Sequence, residues 1–216
     1  LTPYLNLSVS NCMTSWFEKH RATLDKALDA CQKRYAWTAY TESPSSRIHG
    51  KEIPAAGKAR FEALLNTDYP LQQPGEVGRT GAEVSPYTRK PLGISYPKMD
   101  IEPLYDAIKQ AQPAWRDAPS ELRMGICLEI LDRCAGQLFE NAHATMHTAG
   151  QSYIMAFAGS GANALDRGLE ALAYAYKAMS DVPASAVWER AFGSDGKAKL
   201  AKRFKLMPRG VSVNIC

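Results

Sequence analysis

From Asp100 to Met179 apolar residues recur every three or four positions, and the interruptions are all helix punctuation. Pro119-Ser120 opens a new segment, Gly150 closes one, and Gly159-Ser160-Gly161 separates two more. A stretch patterned this way does not suit a sheet, because the period-two alternation of a half-buried strand is missing. The middle of the chain is therefore committed to packed helices. Strands belong at its margins.

Asp100 is a good N-cap, and Pro103 is tolerated in the first turn that follows. Ile101, Leu104, Ile108, Ala111 and Trp115 form the stripe this helix is expected to bury. The helix from Ser120 presents Leu122, Ile126, Ile130, Leu131, Cys134 and Leu138, and the pattern runs on through Phe139 and Met146 to Gly150. Further helices are expected over 153–157 and 162–179, with a break between them. Upstream, Ser15 with Glu18 makes a capping box. Phe17, Leu24, Leu28, Cys31 and Tyr35 carry the helix it opens to about Ala36. The polar stretch 1–12 reads as a poorly ordered leader without the apolar core of a signal peptide. A second short helix is expected over 55–65.

Residues 69–81 hold two prolines and three glycines and read as an irregular connection. A hairpin is expected from 82–87 and 92–96, turning at Thr88-Arg89-Lys90-Pro91. Beyond Pro183 the texture becomes β-like, with strands expected over 186–192, 200–207 and 211–215.

Composition narrows the function classes without choosing one. The 216 residues are 45% hydrophobic and 22% charged, ordinary for a folded domain. No apolar run approaches the roughly 20 residues of a membrane span. A net charge of +4 is too small to announce a nucleic-acid partner. Cys12, Cys31, Cys127, Cys134 and Cys216 are scattered without a CxxC pair, which suits reduced thiols and a cytoplasmic setting.

Four constellations could carry chemistry. His143 and His147 are four apart and share a helix face, as two metal ligands would. The glutamate of an HExxH base is missing and no third ligand follows, so they read as helix-end polar residues and no metal is expected. Cys127 and Cys134 lie two turns apart and read as core. Gly159-Ser160-Gly161-Ala162 precedes a helix, but no strand leads into it and no P-loop lysine follows, so it reads as a helix break. Lys197, Lys199, Lys202, Arg203, Lys205 and Arg209 form a basic cluster with only Phe204 interleaved, which reads as a solvated sheet face.

Several strings resemble the N-terminal part of the aldehyde dehydrogenase superfamily. They are Gly81-Ala-Glu-Val84, the helix ending in Trp115, Glu121-Leu-Arg123, Leu128-Glu-Ile-Leu131, Met146-His-Thr-Ala-Gly-Gln151 and Pro208-Arg209-Gly210-Val211. Phe17-Glu-Lys-His-Arg-Ala-Thr-Leu24, Cys127-Leu-Glu-Ile-Leu-Asp-Arg133 and Asp166-Arg-Gly-Leu-Glu-Ala171 look most like its phenylacetic acid degradation (PaaN) branch.

The resemblance implies an α/β protein, of which this chain is the mainly α-helical front with a few β-strands at the hairpin and C-terminal end. It implies a helical extension over 13–80, the helical start of the dehydrogenase domain over 81–182 and oligomerisation-type strands over 183–209. The first cofactor-domain strand would then occupy 210–216. It further implies oxidation of an aldehyde, here a ring-opened semialdehyde as a coenzyme A thioester, with NAD or NADP. The nucleophile, base, oxyanion asparagine and cofactor lysine of the family match nothing in this chain, so no catalytic residue is assigned. The backbone of Ile215 and Cys216 matches positions that skirt the adenosine, and Arg167 lies near the position lining the aldehyde path. The same comparison implies a homo-oligomer without nucleic-acid or membrane partners, and no tight cofactor binding by this part alone. The alternative reading is a helical interaction module without catalysis.

Overall fold

A computed structural model describes residues 7–194 and 196–212. The first helix, α1 (Leu7–Lys33), starts before the expected capping box and takes in half of the expected leader. No proline or glycine lies between Leu7 and Lys33, so nothing in the chain forces a later start. Ser15 is consequently a residue within the helix and not its cap.

Two helices follow, α2 (Ser46–His49) and α3 (Glu52–Leu64). The stretch expected to be irregular contains β1 (Glu76–Thr80), which pairs antiparallel with β2 (Tyr96–Met99) across a bulge between Glu76 and Gly78. The hairpin expected between them is reduced to a tight turn. Val84 and Pro91 form an isolated bridge, and the Ser85 N–H donates to the Lys90 carbonyl at 3.0 Å. The ladder thus forms one step outside the predicted pair. Gly81 explains part of this, because a Cβ there would lie 2.0 Å from the Ile94 carbonyl oxygen.

Five α-helices come next: α4 (Ile101–Asp117), α5 (Ser120–Ala135), α6 (Leu138–Ala149), α7 (Tyr153–Phe157) and α8 (Ala164–Ser180). The Asp100 carboxylate caps α4 by accepting from the Glu102 N–H. Gly150 ends α6 in the left-handed conformation, at φ 73°. Between α7 and α8 the expected break is a π-turn, Ala158–Asn163, through which the helical path continues. Its glycine serves packing: a Cβ on Gly161 would lie 2.9 Å from Leu138 Cδ2.

The first core joins Phe17, Leu24 and Ala27 of α1 to Met124 and Leu128 of α5 and Leu169 and Ala173 of α8. Helix α1 is therefore packed directly on α5 and α8. A second core gathers Leu138, Phe139, Ala142, Ala156, Phe157 and Ala162. The third is Phe61 of α3 with Leu92 and Ile94. On α5 the buried face is turned from the expected one: Arg123, Met124, Gly125, Leu128 and Glu129 are inside, while Ile130 is 54% exposed. Apolar residues occur all round this helix, so periodicity alone does not choose the side; Met124, Leu128 and Glu129 are the residues that meet α1.

The stripe of α4 is corrected outright. No residue of α4 is buried, and Ile101 is 74% exposed. The C-terminal hairpin, β3 (Ser185–Phe192) with β4 (Gly196–Arg203), pairs in register from Ser185↔Arg203 to Phe192↔Gly196. Its second strand lies four residues before the expected one, and 204–207 carry no strand. Cross-strand partners Glu189 and Lys199 form an ion pair at 2.8 Å, and every residue of β4 is exposed. Val211 and Ser212 are not in a strand, and the remainder of the last expected strand lies outside the described residues. No helix among the described residues is long and apolar enough to cross a membrane.

Candidate functional site

The end of α1 and the face of α8 enclose a cleft of about 270 Å³, lined in part by Cys31, Arg34, Trp37, Asp166, Arg167 and Tyr174. Asp166 sits at its inner wall, buried. Its carboxylate accepts the Ala39 N–H at 3.0 Å and the Thr38 hydroxyl, so one acidic side chain from α8 pins the loop that leaves α1. Arg34 begins that loop in the left-handed region, at φ 61°, and the Arg34 and Tyr35 N–H groups both donate to the Ala30 carbonyl, closing α1. Arg167, one residue along α8, is exposed and paired with Glu170. The resemblance puts Arg167 near the aldehyde path, and here Glu170 holds it. The pairing leaves its guanidinium at the rim of the cleft.

Other candidates separate cleanly. Cys127 is half-buried, and desolvation pushes its thiol above the ordinary value, the opposite of what a nucleophile needs. Gly159-Ser160-Gly161 belongs to the π-turn, so its backbone is wound into the helix and makes no open anion cradle. Ile215 and Cys216 lie outside the described residues. In the basic cluster, Lys199 pairs with Glu189, Lys205 bonds Asp117 at 3.0 Å, and Lys202 lies over the Trp188 ring at 5.7 Å.

One cluster was illegible in the sequence. Glu129 on α5 accepts from Lys19 Nζ and His20 Nε2 on α1, each at 2.9 Å, and from Arg133 Nε at 2.9 Å. Hydrogen bonds from His20, Lys19 and Arg133 hold its carboxyl down to about 2. Ligand atoms of His20, Glu129 and Asp132 lie within 4.8 Å of one another. The Lys19 ammonium already donates to both carboxylates there, at 2.9 and 2.8 Å, so the positive charge at this point is the chain's own. This is an ionic clasp between two core helices. Only Glu129 and Arg133, four apart, had a local signal; their partners are more than a hundred positions away in sequence.

A solved structure described as the NAD-dependent aldehyde dehydrogenase from Burkholderia multivorans matches 90% of the chain at 40% sequence identity and a TM-score of 0.84. The fold is aldehyde dehydrogenase-like. The chain spans 35% of the length of that aldehyde dehydrogenase, so the comparison covers about a third of the neighbour. No family model and no curated protein sequence matches the chain. The aldehyde dehydrogenase-like assignment agrees with a helical part flanked by short strand pairs.

Proposed function

We propose that this chain is the N-terminal, helical part of an NAD(P)-dependent aldehyde dehydrogenase of phenylacetic acid degradation. Its substrate would be a ring-opened semialdehyde held as a coenzyme A thioester, released as the acid by a soluble, cytoplasmic homo-oligomer. One observation carries the reading: 40% identity maintained over 90% of the chain with a closely superposing backbone. Supporting it chemically, Arg167 stands at the lip of a cleft with its guanidinium exposed, suited to steer an anionic thioester. The nicotinamide cofactor would supply hydride acceptance when bound. What this chain's own residues do is narrower: Asp166 holds the cleft wall in place, and Arg167 attracts the anionic end of the substrate.

Alone, the chain is expected to give no nicotinamide reduction with semialdehydes, since no nucleophile or base is assigned in it. In a polypeptide continued along its reading frame to a later asparagine turn and cysteine, activity is expected. There Arg167→Ala should raise KM for the thioester more than for a small neutral aldehyde. Equal effects on both substrates would remove Arg167 from the substrate path, and turnover by the chain alone would overturn the assignment of catalysis to residues beyond it.

The homo-oligomer rests on the hairpin β3–β4, a two-stranded sheet with exposed faces and unpaired outer edges. Light scattering across a concentration series, beside a version ending at Val182, tests it. Self-association lost on truncation is the expected outcome, and a strictly monomeric long form contradicts it.

A further inference from the structure

A second cleft, independent of the dehydrogenase reading, lies between α3, α6 and the turn at residues 85–92, with a volume of about 340 Å³. That is within the range of small-molecule sites. Its apolar side is Phe61, Leu65 and Leu92. Its polar side holds Thr88, Lys90 and His147.

The polar side is built before any ligand arrives. Ser85, fully buried, accepts the Tyr87 and Thr88 N–H groups at 3.3 and 3.2 Å, which occupies its lone pairs. Its own proton is then directed to His147 Nδ1, 2.8 Å away. A neutral His147 accepting at Nδ1 carries its hydrogen on Nε2, which makes that nitrogen a donor. Phe61 stacks on the same imidazole at 5.2 Å with planes 6° apart, fixing the ring.

Backbone conformation points the same way. Asn66, which lines the cleft, takes a left-handed φ of 59°, and its N–H donates to the Leu92 carbonyl at 3.0 Å. Gly93, at φ 68°, packs so closely on Asn66 that a Cβ would lie 2.3 Å from Asn66 Oδ1. These contacts tie the end of α3 to the turn that forms the facing wall.

Charge supplies the class of ligand. Lys58 pairs with Glu62 at 3.5 Å, and both line the cleft. Among the described residues the Lys90 ammonium has no ion-pair partner. The wall therefore carries one positive charge in excess beside an imidazole N–H, a hydroxyl and an apolar surface. We infer that this cleft binds a small organic monocarboxylate, its carboxylate between Lys90 and His147 and its apolar body against Phe61, Leu65 and Leu92.

Amide NMR of the full chain, titrated with benzoate, benzamide and inorganic phosphate, tests this. Benzoate should give saturable shifts at Thr88, Lys90 and His147. Benzamide, lacking the charge, and phosphate, lacking the body, should each bind about tenfold or more weakly, the scale of one charged hydrogen bond. Lys90→Met should weaken benzoate by a similar factor and leave benzamide unchanged. Absence of saturable shifts overturns the proposal. So does benzamide or phosphate binding as tightly as benzoate, or benzoate binding unchanged by Lys90→Met.

Discussion

The packing of α1, α5 and α8 and the pair formed by α4 and the β3–β4 hairpin make an instructive contrast. Both regions are amphipathic in sequence. In the first, apolar stripes from three helices meet and Phe17, Leu24, Leu169 and Ala173 lose nearly all contact with water. In the second, Ile101, Ile108 and Trp115 on α4 and Val187, Trp188 and Leu200 in the hairpin keep between 38% and 74% of their surface exposed. A periodic pattern states which face of an element gains by burial. It does not state that a partner lies within the same stretch of chain.

The largest expected effect breaks the contrast from its buried side. Phe17→Ala should cost about 3–5 kcal/mol by leaving a cavity among three helices, read as a lower urea midpoint. A loss within about 0.5 kcal/mol would place Phe17 outside a real core. Next comes the contact of α3 with α6, where a Cβ on Gly57 would meet Phe139 Cβ at 2.3 Å and the Glu140 N at 3.0 Å. Gly57→Ala should therefore destabilise by about 1–3 kcal/mol, although alanine is the better helix former. A stabilising Gly57→Ala would show that these helices sit further apart.

The ionic clasp sharpens the comparison through pH. The Glu129 carboxyl is lowered from 4.5 to about 2, chiefly by the bond from His20 and then those from Lys19 and Arg133. Its folded value lies below its unfolded one. The contribution to stability is thus complete above about pH 4.5 and disappears as pH falls towards 2. Thermal melts of Glu129→Gln across that window should show a flatter acid limb than the unsubstituted chain; parallel limbs would detach Glu129 from the clasp.

The smallest effects belong to the exposed region. Ile101→Ala and Lys205→Met should each change stability by no more than about 0.5–1 kcal/mol, because neither empties a cavity nor strands a buried charge. A larger cost at Ile101 would reveal a partner for α4 within the chain.

The same contrast explains what could be read without coordinates. Caps and stops were legible because they are local: Asp100 bonds two residues along, and Gly150 needs only its own backbone freedom. The β-like texture beyond Pro183 likewise marked β3, although β4 begins four residues before the expected strand. The ladder of β1 with β2 was hidden, since Glu76 and Met99 pair across an intervening turn and β1 is fully exposed, with no apolar alternation to mark it. The π-turn was hidden because Gly159 and Gly161 read locally as a break, whereas the packing of Gly161 on Leu138 spans 23 residues. Of the cleft at α8, Arg167 was named through the resemblance, whereas the bond of Asp166 to the loop at Thr38 and Ala39 spans more than 120 residues.

Hydrogen exchange along the whole chain compares the two regions most directly, because backbone amides report local opening element by element. Amides in the central turns of α1, α5 and α8 should exchange slowest, close to the rate of global unfolding. Those of α4 and of β3–β4 should exchange orders of magnitude faster in dilute solution. Equal protection in the two regions would contradict the account, since it would mean that α4 and the hairpin are covered as thoroughly as the three-helix core.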